Sequence, residues 1–166
     1  QSYVYDINVL DRTSVGPDQI ICGAQSAQLN ANGGNVFTWY DLSGNLIPVG
    51  AQFTCNPCDN PVAHPTVTST YVVQSDLLGT CITSDTITIN VAADFNFALT
   101  QSSNSACLFQ PIQLSCLPNP AGNYAYSWTP ASYMSNPNIA NPVLNATASG
   151  AYWVHNTVTS AQGCTH

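Results

Sequence analysis

Positive charge is almost absent from this sequence of 166 residues. Arg12 is the only cation, lysine does not occur, and all eight acidic residues are aspartates, which gives a formal net charge of -7. Proteins that bind nucleic acid contact its phosphates with many lysines and arginines, and anionic lipid attracts polybasic segments. The composition therefore excludes a nucleic-acid partner and electrostatic attachment to an anionic membrane surface.

Long apolar runs are missing as well. No segment approaches the roughly 20 apolar residues that a membrane-spanning helix needs, and no basic stretch followed by a short apolar stretch marks a secretory signal. We therefore expect no membrane span. Any export signal is expected to have been removed or to lie outside this sequence.

Groups that catalyse reactions are also scarce. The aspartates are scattered without the spacing of a carboxylate pair, and the three histidines stand outside any metal-binding motif. Neither a nucleophile elbow nor a phosphate-binding loop occurs. We expect no catalytic residue, no cofactor and no metal site, with calcium at Asp94 near the middle of the chain as a minor alternative.

What the sequence does contain is a repeat. Residues 22–29 and 107–114 share the pattern Cys-x-x-Gln-x-x-Gln-Leu, and the same landmarks follow both stretches in the same order. These landmarks are Trp39 and Trp128, Asn60-Pro61 and Asn141-Pro142, Tyr71 and Tyr152, and Cys81 and Cys164. A repeat of this length predicts two modules of roughly 80 residues with one architecture.

Strands are predicted throughout both modules. Short alternating runs of valine, isoleucine, threonine and aromatic residues, such as 67–74 and 84–91, are separated by clusters of glycine, asparagine, proline and serine. Antiparallel strands at this cadence predict an all-β fold made of β-sandwiches. The two tryptophans and the two tyrosines are expected to pack in the cores.

The order of these motifs resembles the tandem immunoglobulin-like (PKD-like) repeats of large cell-surface proteins of Bacteroidota, some of which are gliding-motility adhesins. Residues 135–142 and 65–71 carry much of the resemblance. It implies two tandem immunoglobulin-like β-sandwiches, and a role as stalk, spacer or adhesive array. We expect an N-terminal strand in 1–16, a first domain in 17–93 and an incomplete second domain in 94–166.

The second module lacks its last strand in this sequence. The first module continues from Cys81 through 84–91, whereas the second reaches Cys164 and His166. The N-terminal segment looks like the missing strand, since it shares Ser, Ile, Asn and Val in register with 84–91. This predicted donor strand consists of Ser2, Tyr3, Val4, Tyr5, Asp6, Ile7, Asn8 and Val9. It either completes a neighbouring copy or ends a preceding repeat of a covalent array, or else it is an ordinary first strand.

Seven cysteines indicate disulfides and an oxidising, extracellular or cell-surface location. By equivalence of the modules we pair Cys22 with Cys81 and Cys107 with Cys164. Cys55 and Cys58 are expected to form a local structural disulfide, with a zinc or redox site as weaker alternatives. Cys116 is expected to be a buried free thiol, with an intermolecular bridge as the alternative.

The predicted function is structural, as a secreted, disulfide-stapled building block of an extracellular filament or adhesin array. Its partners are then copies of itself or adjacent repeats. The alternative is a carbohydrate- or protein-binding module with an aromatic patch of Tyr124, Tyr126 and Tyr133, which would bind surface glycans. Thr86, in Asp-Thr-Ile, and Asn145, in a sequon, are candidate glycosylation sites.

Overall fold

The computed structural model describes residues 3–4, 11–77 and 81–166. In these ranges the chain is all-β, with a single 3-10 turn, Ala131–Tyr133, and no helix long and apolar enough to cross a membrane. The strands are β1 (Gln19–Cys22), β2 (Ala27–Gln28), β3 (Phe37–Tyr40), β4 (Val62–Ala63), β5 (Ser69–Leu77), β6 (Cys81–Ala92), β7 (Asn96–Gln101), β8 (Ile112–Asn119), β9 (Tyr124–Thr129), β10 (Val143–Leu144) and β11 (His155–Ser160).

The chain divides into two compact units, unit 1 (Gln1–Ala92) and unit 2 (Ala93–His166). The described part of the predicted N-terminal segment 1–16 belongs to unit 1. Ser14 forms a bridge with Asn32, and Thr13 and Val15 are buried, at 5% and 4% exposure. The first domain therefore begins before residue 17, because these side chains complete its core.

Unit 1 is built around a four-stranded sheet in the order β1-β6-β5-β3, with β2 and β4 paired opposite it. In β6 the buried Ile87 and Ile89 alternate with the exposed Thr86 and Asn90, as the two-residue period of a half-buried strand requires. Strand β6 pairs with β5 on one side and, in parallel, with β1 on the other. It is therefore the central closing strand of this unit.

Unit 2 repeats part of this plan. Strands β10, β8 and β7 form one sheet, and β11 and β9 form the other. Leu114, Trp128 and Val158 are buried between them. The core also contains polar groups, because Asn156 lies opposite Trp128 and its amide atoms are buried without a hydrogen-bond partner among the described residues.

No strand of unit 2 in the described ranges takes the place of β6. The named neighbour of β11 is β9, and the segment before Cys107, which corresponds to β1, is not a strand. Since β1 is held in its sheet by β6 alone, its counterpart in unit 2 has no strand to pair with. The second sandwich is open on this side.

Candidate functional site

The repeated cysteine motif forms the same turn in both units. The backbone N–H of Gln25 donates to the Cys22 carbonyl at 3.2 Å, and that of Gln110 donates to the Cys107 carbonyl at 3.0 Å. The side-chain oxygen of each glutamine accepts from the cysteine N–H, at 3.2 Å in unit 1 and 3.4 Å in unit 2. The first glutamine of the motif therefore closes the turn after the cysteine.

The side chain of the second glutamine of the motif links two chain segments by hydrogen bonds, and we call this arrangement the clasp. The Nε2 of Gln28 lies 2.8 to 3.2 Å from the carbonyl oxygens of Leu29, Asn60 and Pro61. The Nε2 of Gln113 has the matching three acceptors at 2.8 to 3.0 Å, in Leu114, Asn141 and Pro142. The repeated Asn-Pro pair is thus the acceptor of this clasp.

The outer edge of β3 in unit 1 is covered by the Cys55–Cys58 loop. Asn56 accepts from the Trp39 N–H through Oδ1 at 3.0 Å and donates through Nδ2 to the carbonyls of Trp39, at 2.8 Å, and Ile47, at 2.9 Å. The Trp39 indole donates to the Cys58 carbonyl at 2.8 Å. Asn56 therefore satisfies backbone groups that a neighbouring strand would otherwise pair with.

The matching edge in unit 2 is covered in the same way. The backbone N–H of Trp128 donates to the Pro137 carbonyl at 2.9 Å, and its indole donates to the Ile139 carbonyl at 2.9 Å. These acceptors lie in the segment before the Asn-Pro pair, as Cys58 does in unit 1. Both units thus protect the edge of the strand that carries the tryptophan.

The cysteines only partly follow the predicted pairing. Cys55 and Cys58 form a disulfide, with an S–S distance of 2.06 Å, and Cys116 is a buried free thiol whose pKa is raised by burial. The predicted Cys107–Cys164 disulfide is not formed, since Cys107 is an exposed free thiol while Cys164 is disulfide-bonded.

Both predicted pairings fail for one geometric reason. Cys22 is the parallel partner of Ala92 at the end of β6, whereas Cys81 is the first residue of that strand. The strand between them is roughly 36 Å long, and the Cα atoms of a disulfide lie less than about 7 Å apart. Cys22 is disulfide-bonded, and its predicted pairing with Cys81 is wrong. Cys107 and Cys164 correspond to Cys22 and Cys81 in unit 2, so the same distance along the strands separates them.

A groove of about 490 Å³ opens on the side of unit 2 that has no closing strand. Its apolar lining includes the buried Leu114 and Leu144 and the partly exposed Ile112. Cys107 and its neighbours form one wall, and residues 148–154 form the other. In unit 1 the corresponding space, between β1 and β5, is filled by β6.

The second wall of the groove is an unpaired continuation of β11. Residues 151–154 are not a strand, although the corresponding first half of β5 in unit 1 is one. The first three residues of β5, Ser69, Thr70 and Tyr71, pair with β6 and not with β3. The side chain of Trp153 is 83% exposed at this wall.

Residues 165 and 166 pair with β11 as the start of β6 pairs with β5 in unit 1. Thr165 bridges to Thr159, and His166 exchanges two backbone hydrogen bonds with Val158, both at 3.0 Å. His166 therefore takes the position that Thr83 has in β6, opposite Ser75. The open groove starts where this short pairing stops.

Most of the predicted donor strand lies outside the described residues. Of residues 2–9, the structure describes Tyr3 and Val4, which are 71% and 92% exposed. Among the candidate glycosylation sites, Thr86 and Asn145 are both exposed. Asp94 accepts from the His166 ring at 2.8 Å and from the Phe95 N–H, and these hydrogen bonds lower its pKa.

The predicted aromatic patch is not formed. Tyr124 packs on Phe95 with 4.8 Å between ring centroids, Tyr133 packs on Tyr152 at 4.9 Å, and Tyr126 lies on the same face of β9 as the buried Trp128. These rings are partly buried because the tyrosines pack within unit 2.

Tyr152, which lies shortly before β11, holds the backbone upstream of it. Its hydroxyl donates to the Ala148 carbonyl at 2.9 Å and accepts from the Ala148 N–H at 3.1 Å. A tyrosine at the start of the penultimate strand that bonds to backbone a few residues upstream is a tyrosine corner. It fixes the wall of the groove.

The fold of the chain is similar to that of solved structures. It matches a crystal structure of murine CEACAM1b with a TM-score of 0.50 and 12% identity, over 90% of this chain and 93% of that chain. The fold is immunoglobulin-like. At this identity the likeness shows the immunoglobulin-like fold alone.

Two further solved structures show a weaker likeness. The N-terminal eight Ig domains of Down Syndrome Cell Adhesion Molecule match with a TM-score of 0.49 and 14% identity, over 95% of this chain and 24% of that chain. The immunoglobulin domains 1–4 of Sidekick-1 match with a TM-score of 0.42 and 12% identity, over 91% of this chain and 47% of that chain. No protein-family model and no curated protein matches the sequence.

Proposed function

We propose that this chain is a structural building block of an extracellular filament or adhesin array, in which immunoglobulin-like units follow one another head to tail. The observation that carries the proposal is the open groove of unit 2, in the place that β6 occupies in unit 1. A sandwich without its closing strand exposes unpaired backbone and apolar side chains. A β-strand from outside unit 2 is the natural occupant of such a groove.

The distribution of protected edges supports one joint per chain. Asn56 covers the edge of β3, and the carbonyls of Pro137 and Ile139 cover the edge of β9. The groove of unit 2 has no such cover among the described residues. An open acceptor on unit 2 favours a linear array, because a head-to-tail contact that does not close repeats without limit.

The location and the resemblance agree with this role. Disulfides such as Cys55–Cys58 persist in oxidising compartments outside the cell. A chain with Arg12 as its single lysine or arginine also offers trypsin-like proteases almost nothing to cleave. The resemblance to repeats of Bacteroidota cell-surface proteins points to the same kind of surface array.

The proposal is tested by the assembly state of the purified full chain. We expect light scattering after gel filtration to show a ladder of masses that are multiples of 17.6 kDa, and electron microscopy to show unbranched filaments. A chain that stays monomeric at all concentrations contradicts assembly from separate subunits. A native polypeptide whose reduced, denatured mass is many times larger places the module in a covalent array.

A further inference from the structure

We propose that the occupant of the groove is residues 2–9 of a second copy of this chain, bound in one fixed register. This inference rests on the proposed function and names the partner of its open groove.

The sequence match places specific side chains in the groove. Aligning residues 2–9 with 84–91 of β6 puts Tyr5 and Ile7 in the positions of Ile87 and Ile89. Both isoleucines are fully buried in unit 1, and Val91, next in the alternation, packs against the same core. In this register the donor presents apolar side chains to the core of unit 2 at each of these positions.

The alternative occupant is a direct covalent continuation after His166. Because His166 already holds the position of Thr83, a next residue Gln1 would take the position of Ser84. This register is shifted by one residue, and a shift of one turns every side chain to the opposite face of the strand.

The shifted register places the wrong side chains in the core. Val4 would take the position of Ile87, but Asp6 would take that of the fully buried Ile89, and Tyr5 and Ile7 would face outward. An unpaired carboxylate is costly in an apolar site. The matched register, which begins at Ser2, therefore suits the core better than a strand in which Gln1 directly follows His166.

The length of chain after the donor strand fits this arrangement. In unit 1, β6 ends at Ala92 and the first buried residue of unit 2, Phe95, follows three positions later. In the matched register Leu10 corresponds to Ala92, and the buried Thr13 follows at the same spacing. The connection from a donor strand to its own unit 1 is therefore as long as the connection between units 1 and 2.

A native thiol reports on the register. In unit 1 Cys22 is the parallel partner of Ala92, so in the matched register Cys107 lies beside Leu10 of the donor copy. Cys107 is an exposed free thiol in the wall of the groove. A cysteine at position 10 would then be close enough to form a disulfide, since paired strands lie within the Cα separations that disulfides span.

The first experiment is oxidation of the purified full-length variant Leu10→Cys, followed by electrophoresis without reductant. We expect a ladder of dimers, trimers and higher species that disappears in Leu10→Cys combined with Cys107→Ser. Val9→Cys is the matched control, because position 9 faces Cys107 only in the shifted register. A ladder from Val9→Cys and none from Leu10→Cys overturns the inference, and so does a cross-link confined to one chain.

A second pair of variants tests the inward face without a cross-link. Ile7→Asp should lower the affinity between copies at least 100-fold, whereas Asn8→Asp, which adds the same charge on the outward face, should change it less than threefold. The reverse order contradicts the proposed register. If the full chain assembles but neither pair of variants responds, the occupant is wrong and the proposed array stands; if the unaltered chain does not assemble, assembly from subunits fails as well.

Discussion

The hydrogen bonds of Asn56 make a quantitative prediction about the edge of unit 1. Replacing Asn56 by Asp keeps the shape of the side chain and the acceptor for the Trp39 N–H. The substitution removes the two donated bonds to the carbonyls of Trp39 and Ile47, which are 2.8 and 2.9 Å long. It also turns a carboxylate oxygen toward both carbonyl oxygens.

The expected loss follows from these contacts. Each lost hydrogen bond costs about 1 kcal/mol, and the unpaired, half-buried carboxylate adds about 1 kcal/mol, for a total of about 3 kcal/mol at neutral pH. For a domain of this size that lowers the melting temperature by roughly 10 to 20 °C. The Cys55–Cys58 disulfide holds the loop closed, so the new carboxylate has little freedom to turn away.

The loss of stability in Asn56→Asp should depend on pH, and the carbonyl oxygens of Trp39 and Ile47 determine the direction of that dependence. They disfavour the charged form, so the folded state raises the pKa of the new carboxyl above its unfolded value. Stability relative to the unaltered chain is then retained below the unfolded pKa, where the protonated carboxyl can donate one bond, and is lost as the pH rises through the folded pKa.

The assay is urea unfolding followed by circular dichroism at pH 3.5 and pH 7, with Asn30→Asp as the control. Asn30 is exposed on the same unit, so its substitution adds the same charge without removing the edge bonds. We expect the transition of unit 1 to shift for Asn56→Asp only, and to shift more at pH 7. A loss below about 1 kcal/mol, or one that is equal at both pH values, would refute the argument.

Three further predictions concern the cysteines and the clasp. In the folded chain a thiol reagent should label Cys107 at least 100-fold faster than Cys116, because Cys116 is buried and its raised pKa leaves less of the reactive thiolate. Gln113→Leu should lower the unfolding free energy of unit 2 by about 1 to 2 kcal/mol, as measured in urea. Replacing Cys55 and Cys58 together by serine should cost unit 1 about 2 kcal/mol, the entropy of a short closed loop.

The repeat predicted much of this architecture because its motifs are local. The all-β fold, the two sandwiches and the burial of Trp39 and Trp128 follow from alternation and spacing. The positions of Gln28 and Gln113 were visible in the pattern, although their role as clasps was not. That role depends on carbonyls about 30 residues away, and nothing in the local sequence shows which segments meet.

The predictions that assumed the same surroundings for equivalent residues of the two units were less successful. Sequence alignment makes Tyr71 and Tyr152 equivalent. In the structure, however, Trp39 lies opposite Val73 and Trp128 lies opposite Asn156. Tyr71 is therefore two residues from the partner of its tryptophan, whereas Tyr152 is four residues from the partner of its own. The displacement of two keeps the ring on the same face and brings it to the Ala148 backbone. The Cys22–Cys81 and Cys107–Cys164 pairings were wrong because the local sequence does not show that the first cysteine lies beside the far end of the strand that starts at the last one.

The way this chain protects its sheet edges follows from its composition. Many proteins place lysines on edge strands to keep them from pairing with other chains. This sequence has no lysine, and its one arginine cannot cover two sandwiches. The edges of β3 and β9 are instead covered by asparagine- and proline-containing loops that satisfy the backbone directly.

Such covers are specific to a position, whereas a charged surface repels any approaching strand. In the proposed joint, like charges on the groove and on the donor strand would repel each other, and this repulsion would vary with the salt concentration. Covering each unwanted edge with hydrogen bonds leaves the groove of unit 2 available to one strand of the right pattern. In the array that we propose, the near absence of charge and the open groove of unit 2 would both serve the same joint.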